Sequence, residues 1–260
     1  MKISIVTISF NQSRYLGQCL SSIQSQDYPD LEHIVVDPGS TDGSREMVLE
    51  YGDRIVKVFE PDRGAADGLN KGFEHATGEI FGYINSDDEL LPSALRTVAT
   101  FFEAHPDVDM VMGCGYLIDE NGKRLRKLLS SKMTLPLFAY NAVAVFQQCA
   151  FFRREIFHKA GGFNIENRTC WDGELYADMA LAGARFKTIP TTLALFRLHS
   201  ESITGSGRFE EQFRLDGARI FEKITHRPFR RSDHIRSLIG RKFKFLVNPS
   251  YLYRRFLERS

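Results

Sequence analysis

The chain has 260 residues, 43% of them apolar, and a formal net charge of +1. The length fits one large α/β domain with an appended tail, and the composition supports a packed core and excludes global disorder. Ser4, Thr7, Ser9 and Asn11 interrupt the first apolar stretch too early for a secretory signal, and no run of about 18 apolar residues is present to span a membrane.

Elements follow in chain order. Ile3–Ile8 is β-branched and reads as a buried strand. Leu16, Cys19, Leu20 and Ile23 recur at i, i+3, i+4 and i+7, which marks one face of a helix. A second strand, His33–Asp37, runs into the turn-rich Pro38-Gly39-Ser40-Thr41-Asp42-Gly43. Ser44–Tyr51 reads as a short helix, Ile55–Glu60 as a third strand, Ala65–Ala76 as a helix and Ile80–Ile84 as a fourth strand. Leu95, Val98, Ala99 and Phe102 mark another helix, followed by a strand over Val108–Met112.

This β-α-β-α rhythm predicts a mostly parallel sheet with helices on both faces. Beyond it, Asn121-Gly122 reads as a hairpin turn, Lys123–Lys132 as a basic loop, and Phe151–Ala160 as a helix closed by Gly161-Gly162. Gly173–Ala182 reads as a helix, Phe186–Ile189 and Leu193–Leu198 as two strands, and the chain from about Arg208 as helical.

Charge is unevenly spread. From Lys223 to Ser260 there are eleven Lys/Arg against two acids, which leaves about −8 on the residues before them. A nucleic-acid partner would place basic residues on the folded body, so none is expected. The tail interleaves Phe243, Phe245, Leu246, Tyr251, Leu252, Tyr253 and Phe256 with its cations, a pattern suited to an anionic membrane surface. Packing on the acidic body, or a contact between copies in a homo-oligomer, is the alternative. The four cysteines are scattered without a C-x-x-C pair, which suits free thiols in a reducing cytoplasm.

Ligands of parallel α/β sheets bind beyond the carboxyl ends of the strands. Those ends read Ser9-Phe10-Asn11, Asp37, Glu60-Pro61-Asp62-Arg63-Gly64 and Asn85-Ser86-Asp87-Asp88-Glu89, so polar and acidic groups collect on one edge. Each alone is also what an ordinary turn looks like. Adjacent carboxylates repel unless something offsets the charge, and a divalent cation with hard oxygen ligands does so. Asp87 and Asp88 are placed for Mg²⁺ or Mn²⁺, and Asn85 for a ribose or diphosphate.

The segments Ile5–Asn11, Val35–Ser44, Asn70-Lys71-Gly72, Ala76-Thr77-Gly78-Glu79 and Asn85-Ser86-Asp87-Asp88 occur in an order that resembles the signature of family 2 glycosyltransferases of the inverting GT-A fold. The resemblance runs to about Ser202. It implies a Rossmann-like catalytic domain over residues 1–205 and a basic helical extension over 206–260.

By the same resemblance, Thr7, Ser9 and Asn11 line a nucleotide pocket, Asp37 meets the base, and Asp62, Arg63, Gly64 and Asp67 flank base and ribose. Asn85, Ser86 and Asp87 hold the sugar nucleotide, while Asp88 and Asp87 match the metal-binding region, with Asp88 favoured as main ligand. The family often has Asp where this chain has Asn85. Asp172 matches the family's general base, with Trp171 where Glu is usual; Glu174 is the rival, and a helix N-cap the structural alternative for Asp172. His199, in Phe196-Arg197-Leu198-His199, is a third metal ligand or diphosphate contact, or a structural histidine.

The implied reaction moves a sugar from a nucleoside diphosphate to a saccharide or lipid-linked acceptor at the inner face of the membrane. A dinucleotide-dependent oxidoreductase would need G-x-G-x-x-G after the first strand, and a P-loop kinase G-x-x-x-x-G-K-[ST]; neither occurs. A sugar-1-phosphate nucleotidyltransferase would need a Gly-rich, Arg-containing first loop, also missing. A binding-only relative remains the non-enzyme alternative.

Overall fold

A computed structural model describes residues 1–247, with side chains through residue 241. Tyr251, Leu252, Tyr253 and Phe256 of the tail lie outside the described residues, as do the side chains of Phe243, Phe245 and Leu246. The strands are β1 (Ile3–Ile8), β2 (Leu31–Val36), β3 (Val56–Val58), β4 (Ile80–Tyr83), β5 (Glu89–Leu90), β6 (Met110–Ile118), β7 (Arg124–Leu128), β8 (Ala150–Arg153) and β9 (Phe186–Arg197). The α-helices are α1 (Ser13–Gln24), α2 (Ser44–Leu49), α3 (Ala65–Glu74), α4 (Ala94–Ala104), α5 (Leu135–Ala139), α6 (Arg154–Ala160), α7 (Trp171–Leu181), α8 (Glu210–Thr225) and α9 (Asp233–Val247).

All nine strands form one sheet in the order β3-β2-β1-β4-β8-β6-β9-β5, with β7 paired to β6. β3, β2, β1 and β4 are mutually parallel, and β6 and β9 are parallel to each other. β8 is antiparallel to both β4 and β6, so those two share a direction on either side of it. The expected mostly parallel sheet with covering helices is what forms.

Neighbouring residues of the central strands feed opposite cores. Ile5, Val111 and Phe151 join Cys19, Leu95, Val98 and Phe102 on one face, while Val6, Met110 and Phe152 join Leu69, Phe73, Phe157 and Leu175 on the other. Burial on both faces makes these strands read as unbroken apolar runs rather than alternating ones.

Three sequence expectations are corrected. Phe151–Ala160 is not one helix, because Ala150–Arg153 is drawn into the sheet as β8 and only Arg154–Ala160 is helical. The basic loop over Lys123–Lys132 contains β7, which returns after a turn in which Asp119 Oδ1 accepts from the amides of Asn121 and Lys123. The two strands over Phe186–Ile189 and Leu193–Leu198 are one strand, β9, that continues through Pro190.

Two motif pieces serve packing. Asn70 exchanges hydrogen bonds with both backbone groups of Phe163, at 2.8 and 2.9 Å. Gly78 lies so close to β1 that a Cβ there would sit 2.7 Å from the amide nitrogen of Ser4.

The start of the tail is also structural. Lys223 reaches Glu174 Oε1 and Asp178 Oδ2 of α7, each at 2.8 Å, and Arg219 Nη2 reaches Glu174 Oε2 at 3.0 Å.

Candidate active site

A cleft of about 760 Å³ opens at the carboxyl ends of β1 and β4, as the parallel sheet dictates. In sheet order, Ser9, Phe10, Pro38, Pro61, Asp62 and Gly64 follow β1 to β3, Asn85, Ser86 and Asp87 follow β4, and Gln147 and Gln148 precede β8; all line the cleft, as do Trp171 and Asp172.

Of the residues expected to hold a nucleotide, Ser9, Asp62, Gly64, Asn85, Ser86 and Asp87 line the cleft, and Thr7, Asn11, Asp37, Arg63 and Asp67 are not among its lining residues. Thr7 is fully buried, with Oγ1 3.1 Å from His33 Nε2. Asn11, at φ 53°, ties the first strand-end loop to the second: its amide donates to Ser40 Oγ and its Oδ1 accepts from the Thr41 amide. Asp37 Oδ1 accepts from the amides of Gly39 and Ser40, at 2.9 and 2.8 Å. Arg63 points outward, and Asp67 accepts its backbone amide at 2.9 Å.

The central turn is held by an arginine. Arg197, 1% exposed, donates from Nε to the Asp87 carbonyl at 2.9 Å and from Nη2 to Gln18 Oε1 at 2.8 Å and Glu89 Oε1 at 2.5 Å. Its backbone amide donates to Asp88 Oδ1 at 2.9 Å, and Gln148 Nε2 donates to Asp88 Oδ2 at 2.7 Å. Burial first, and then the charge of Asp87, push the Asp88 carboxyl well above the usual carboxylate range. Asp87 Oδ2 instead meets His199 Nε2 at 3.0 Å, and the His199 ring packs on Tyr15 at 4.9 Å between centroids.

Asp172 is the second residue of α7, where free helix amides face its carboxyl. Burial raises its proton affinity, while the amides of Gly173 and Asp172 itself oppose that. Glu174, its rival as base, is spoken for. Asn164 and Asn167 donate to its two oxygens at 2.9 and 2.7 Å, and Arg219 and Lys223 pair with it from α8. Burial alone would raise the Glu174 carboxyl, but the bonds from Lys223, Asn164, Asn167 and Arg219 override it and hold it at about 2.

Ser9 Oγ and Asn85 Oδ1 belong to cleft-lining residues and are buried with no hydrogen-bond partner among the described residues. Buried polar atoms are rarely left so, which suits a cleft built for a polar ligand. For a cation, Asp87 and His199 are a matched oxygen and nitrogen donor pair. No cluster of three or more His, Cys, Asp or Glu forms among the described residues, so other ligands would have to come from the bound molecule or solvent. Sequence reasoning missed Gln147 and Gln148, which sit in an aperiodic stretch, and Phe10, whose 58% exposed ring edges the cleft directly after β1.

The Glycosyl transferase family 2 model matches residues 4–161, more than half of the chain. The chain belongs to that family. Among family 2 relatives, an uncharacterized glycosyltransferase of Nostoc sp. is 29% identical over 76% of this chain and 65% of its own length. A PGL/p-HBAD biosynthesis glycosyltransferase of Mycobacterium tuberculosis is 30% identical over 65% of this chain and 66% of its own. An uncharacterized glycosyltransferase of Rickettsia typhi matches over only 39% of its length, so the chain spans a part of several relatives.

Among solved structures, S. aureus TarS 1-349 in complex with UDP-GlcNAc superposes with a TM-score of 0.72 at 18% identity, covering 95% of this chain and 73% of that one. The mannosyltransferase PcManGT from Pyrobaculum calidifontis, in complex with GDP-Man and Mn²⁺, gives 0.66 at 21% identity, covering 96% and 72%. The fold is GT-A. The matched family 2 region stops before Asp172 and His199.

Proposed function

We propose that the chain is an inverting, metal-assisted glycosyltransferase that moves a sugar from a nucleoside diphosphate to an acceptor hydroxyl. One observation carries this reading: a single cleft is lined by both Asp87, hydrogen-bonded to His199, and Asp172, a carboxyl of raised proton affinity.

The donor nucleotide lies along the β1 side, where the exposed ring of Phe10 offers a face to a base and Ser9 a hydroxyl to the ribose or phosphate. Asp87 and His199 would hold a Mn²⁺ or Mg²⁺, and Asp88 fixes the turn through Arg197 and Gln148. A cation there would neutralise charge on the departing diphosphate. Asp172 accepts the proton of the acceptor hydroxyl as that oxygen bonds to the anomeric carbon; the bond from that carbon to the phosphate oxygen breaks, and the configuration inverts.

The acceptor reading is a saccharide or glycolipid intermediate of the cell surface, reached from the cytoplasmic side of the membrane. The glycolipid-related name of the mycobacterial relative supports it. No helix among the described residues is long and apolar enough to cross a membrane.

The test is thermal stabilisation and donor turnover with a panel of UDP, GDP and dTDP sugars, each with Mn²⁺ and with EDTA. One donor should raise the melting midpoint and turn over with Mn²⁺ and lose both effects with EDTA. No response to any donor overturns the reading.

A further inference from the structure

Helix α9 ends the described chain with an unpartnered face. Ile235, Leu238 and Ile239 recur at i, i+3 and i+4, so they share one side, and they are 62%, 61% and 59% exposed. Phe229, just ahead of the helix, is exposed as well. Around them stand the exposed Arg230, Arg231, His234, Arg236 and Arg241. The one acid between residues 227 and 241 is Asp233, which is fully buried and held by Arg227 at 2.7 Å and Arg236 at 3.3 Å. The guanidinium groups of Arg230, Arg231 and Arg241 make no ion pair among the described residues.

We propose that this face of α9 docks on an anionic lipid bilayer, with Ile235, Leu238 and Ile239 at the acyl boundary and Arg230, Arg231 and Arg241 at lipid phosphates. The inference sharpens the membrane contact proposed above from the whole basic tail to one helix face, and it is independent of the sugar-transfer chemistry. Exposed apolar groups ringed by unpaired cations are what an interfacial helix needs.

Three acids of α7 and α8, Glu174, Asp178 and Asp216, do not compete for it, because they are already paired with Arg219 and Lys223. A second copy is a poorer occupant. It would set arginine against arginine, and a few side chains cover far less than the roughly 800 Å² per partner of a stable interface.

The test is sedimentation of the full chain with phosphatidylcholine vesicles, with and without phosphatidylglycerol. Wild type should bind the anionic vesicles, release them at high salt, and bind pure phosphatidylcholine weakly. The triple variant Ile235→Ser/Leu238→Ser/Ile239→Ser should lose at least tenfold in partitioning. The variant Arg230→Gln/Arg231→Gln/Arg241→Gln should lose roughly fivefold per arginine removed. Melting midpoints and sugar-nucleotide binding of both variants should match wild type, which separates this inference from the transfer reading. Absence of wild-type binding, unchanged binding by the serine variant, or a dimer that the serine variant abolishes in analytical ultracentrifugation overturns it.

Discussion

Asp87 and Asp88 are consecutive, yet their carboxylates serve different partners: Asp87 Oδ2 meets His199 Nε2 at 3.0 Å, and Asp88 Oδ1 accepts the amide of Arg197 at 2.9 Å. Two adjacent acids therefore divide into one lining the cleft and one facing the fold.

The first prediction separates them. Asp87→Asn should lower Mn²⁺-dependent donor affinity by at least tenfold while leaving stability unchanged. Asp88→Asn brings amide hydrogens into a site where both oxygens accept bonds, leaves a buried donor unsatisfied, and should cost about 1–3 kcal/mol. Calorimetric titration and urea denaturation read the two effects. The opposite assignment, with Asp88→Asn abolishing donor binding at full stability, would make Asp88 the ligand.

Asp172→Asn should lower transfer by roughly 10²- to 10⁴-fold, the usual contribution of a positioned base, with donor binding preserved. Burial raises this carboxyl, so the acid limb of the pH–rate profile should fall above the ordinary aspartate value. Loss of donor binding along with turnover would mean that Asp172 holds the donor instead.

Glu174 carries a pH-dependent share of stability. Its folded-state proton affinity is depressed to about 2 from the usual 4.5, so its stabilisation is complete above pH 4.5 and is lost as pH falls towards 2. Glu174→Gln leaves Arg219 and Lys223 without their shared buried carboxylate and should cost about 3 kcal/mol at pH 7. The gap between variant and wild type in urea midpoint should shrink between pH 4.5 and 2; a constant gap would contradict the ionic account.

Gly78→Ala tests a motif residue read here as packing. The added methyl would sit 2.7 Å from the Ser4 nitrogen and 2.9 Å from the Lys2 carbonyl oxygen, and neither backbone atom can swing aside. We expect a loss of about 1–3 kcal/mol in chemical denaturation. A variant as stable as wild type would show that β1 yields at its start.

The first four strands and their helices were legible because apolar spacing separates strand from helix over such lengths. β7 was not, since Arg124-Leu125-Arg126 is an exposed edge whose cations blunt pairing with other chains and mimic a loop. β8 was obscured because Phe151 and Phe152 are buried on opposite faces, leaving no polar alternation.

Asp37 and Asn11 tie the strand-end turns together, a role that composition does not distinguish from contact with a ligand. Arg197 was visible as part of a motif, but its bonds to Gln18, Glu89 and the Asp87 carbonyl join positions far apart in sequence.

Among the described residues β5 pairs only with β9, through Glu89 with Leu195 and Leu90 with Ala194. A ribosome delivers the Asp87-Asp88 turn about a hundred residues before the strand that pins it, since roughly the whole span between them must be translated first. During that interval the nascent chain already holds most of its parallel strands, yet the acidic turn has neither its arginine staple nor its histidine. Both contacts thus arrive late and together, with the docking of a single strand, and a chain truncated before residue 186 would keep the matched family region and the Gln148–Asp88 bond but lose the arginine and the histidine.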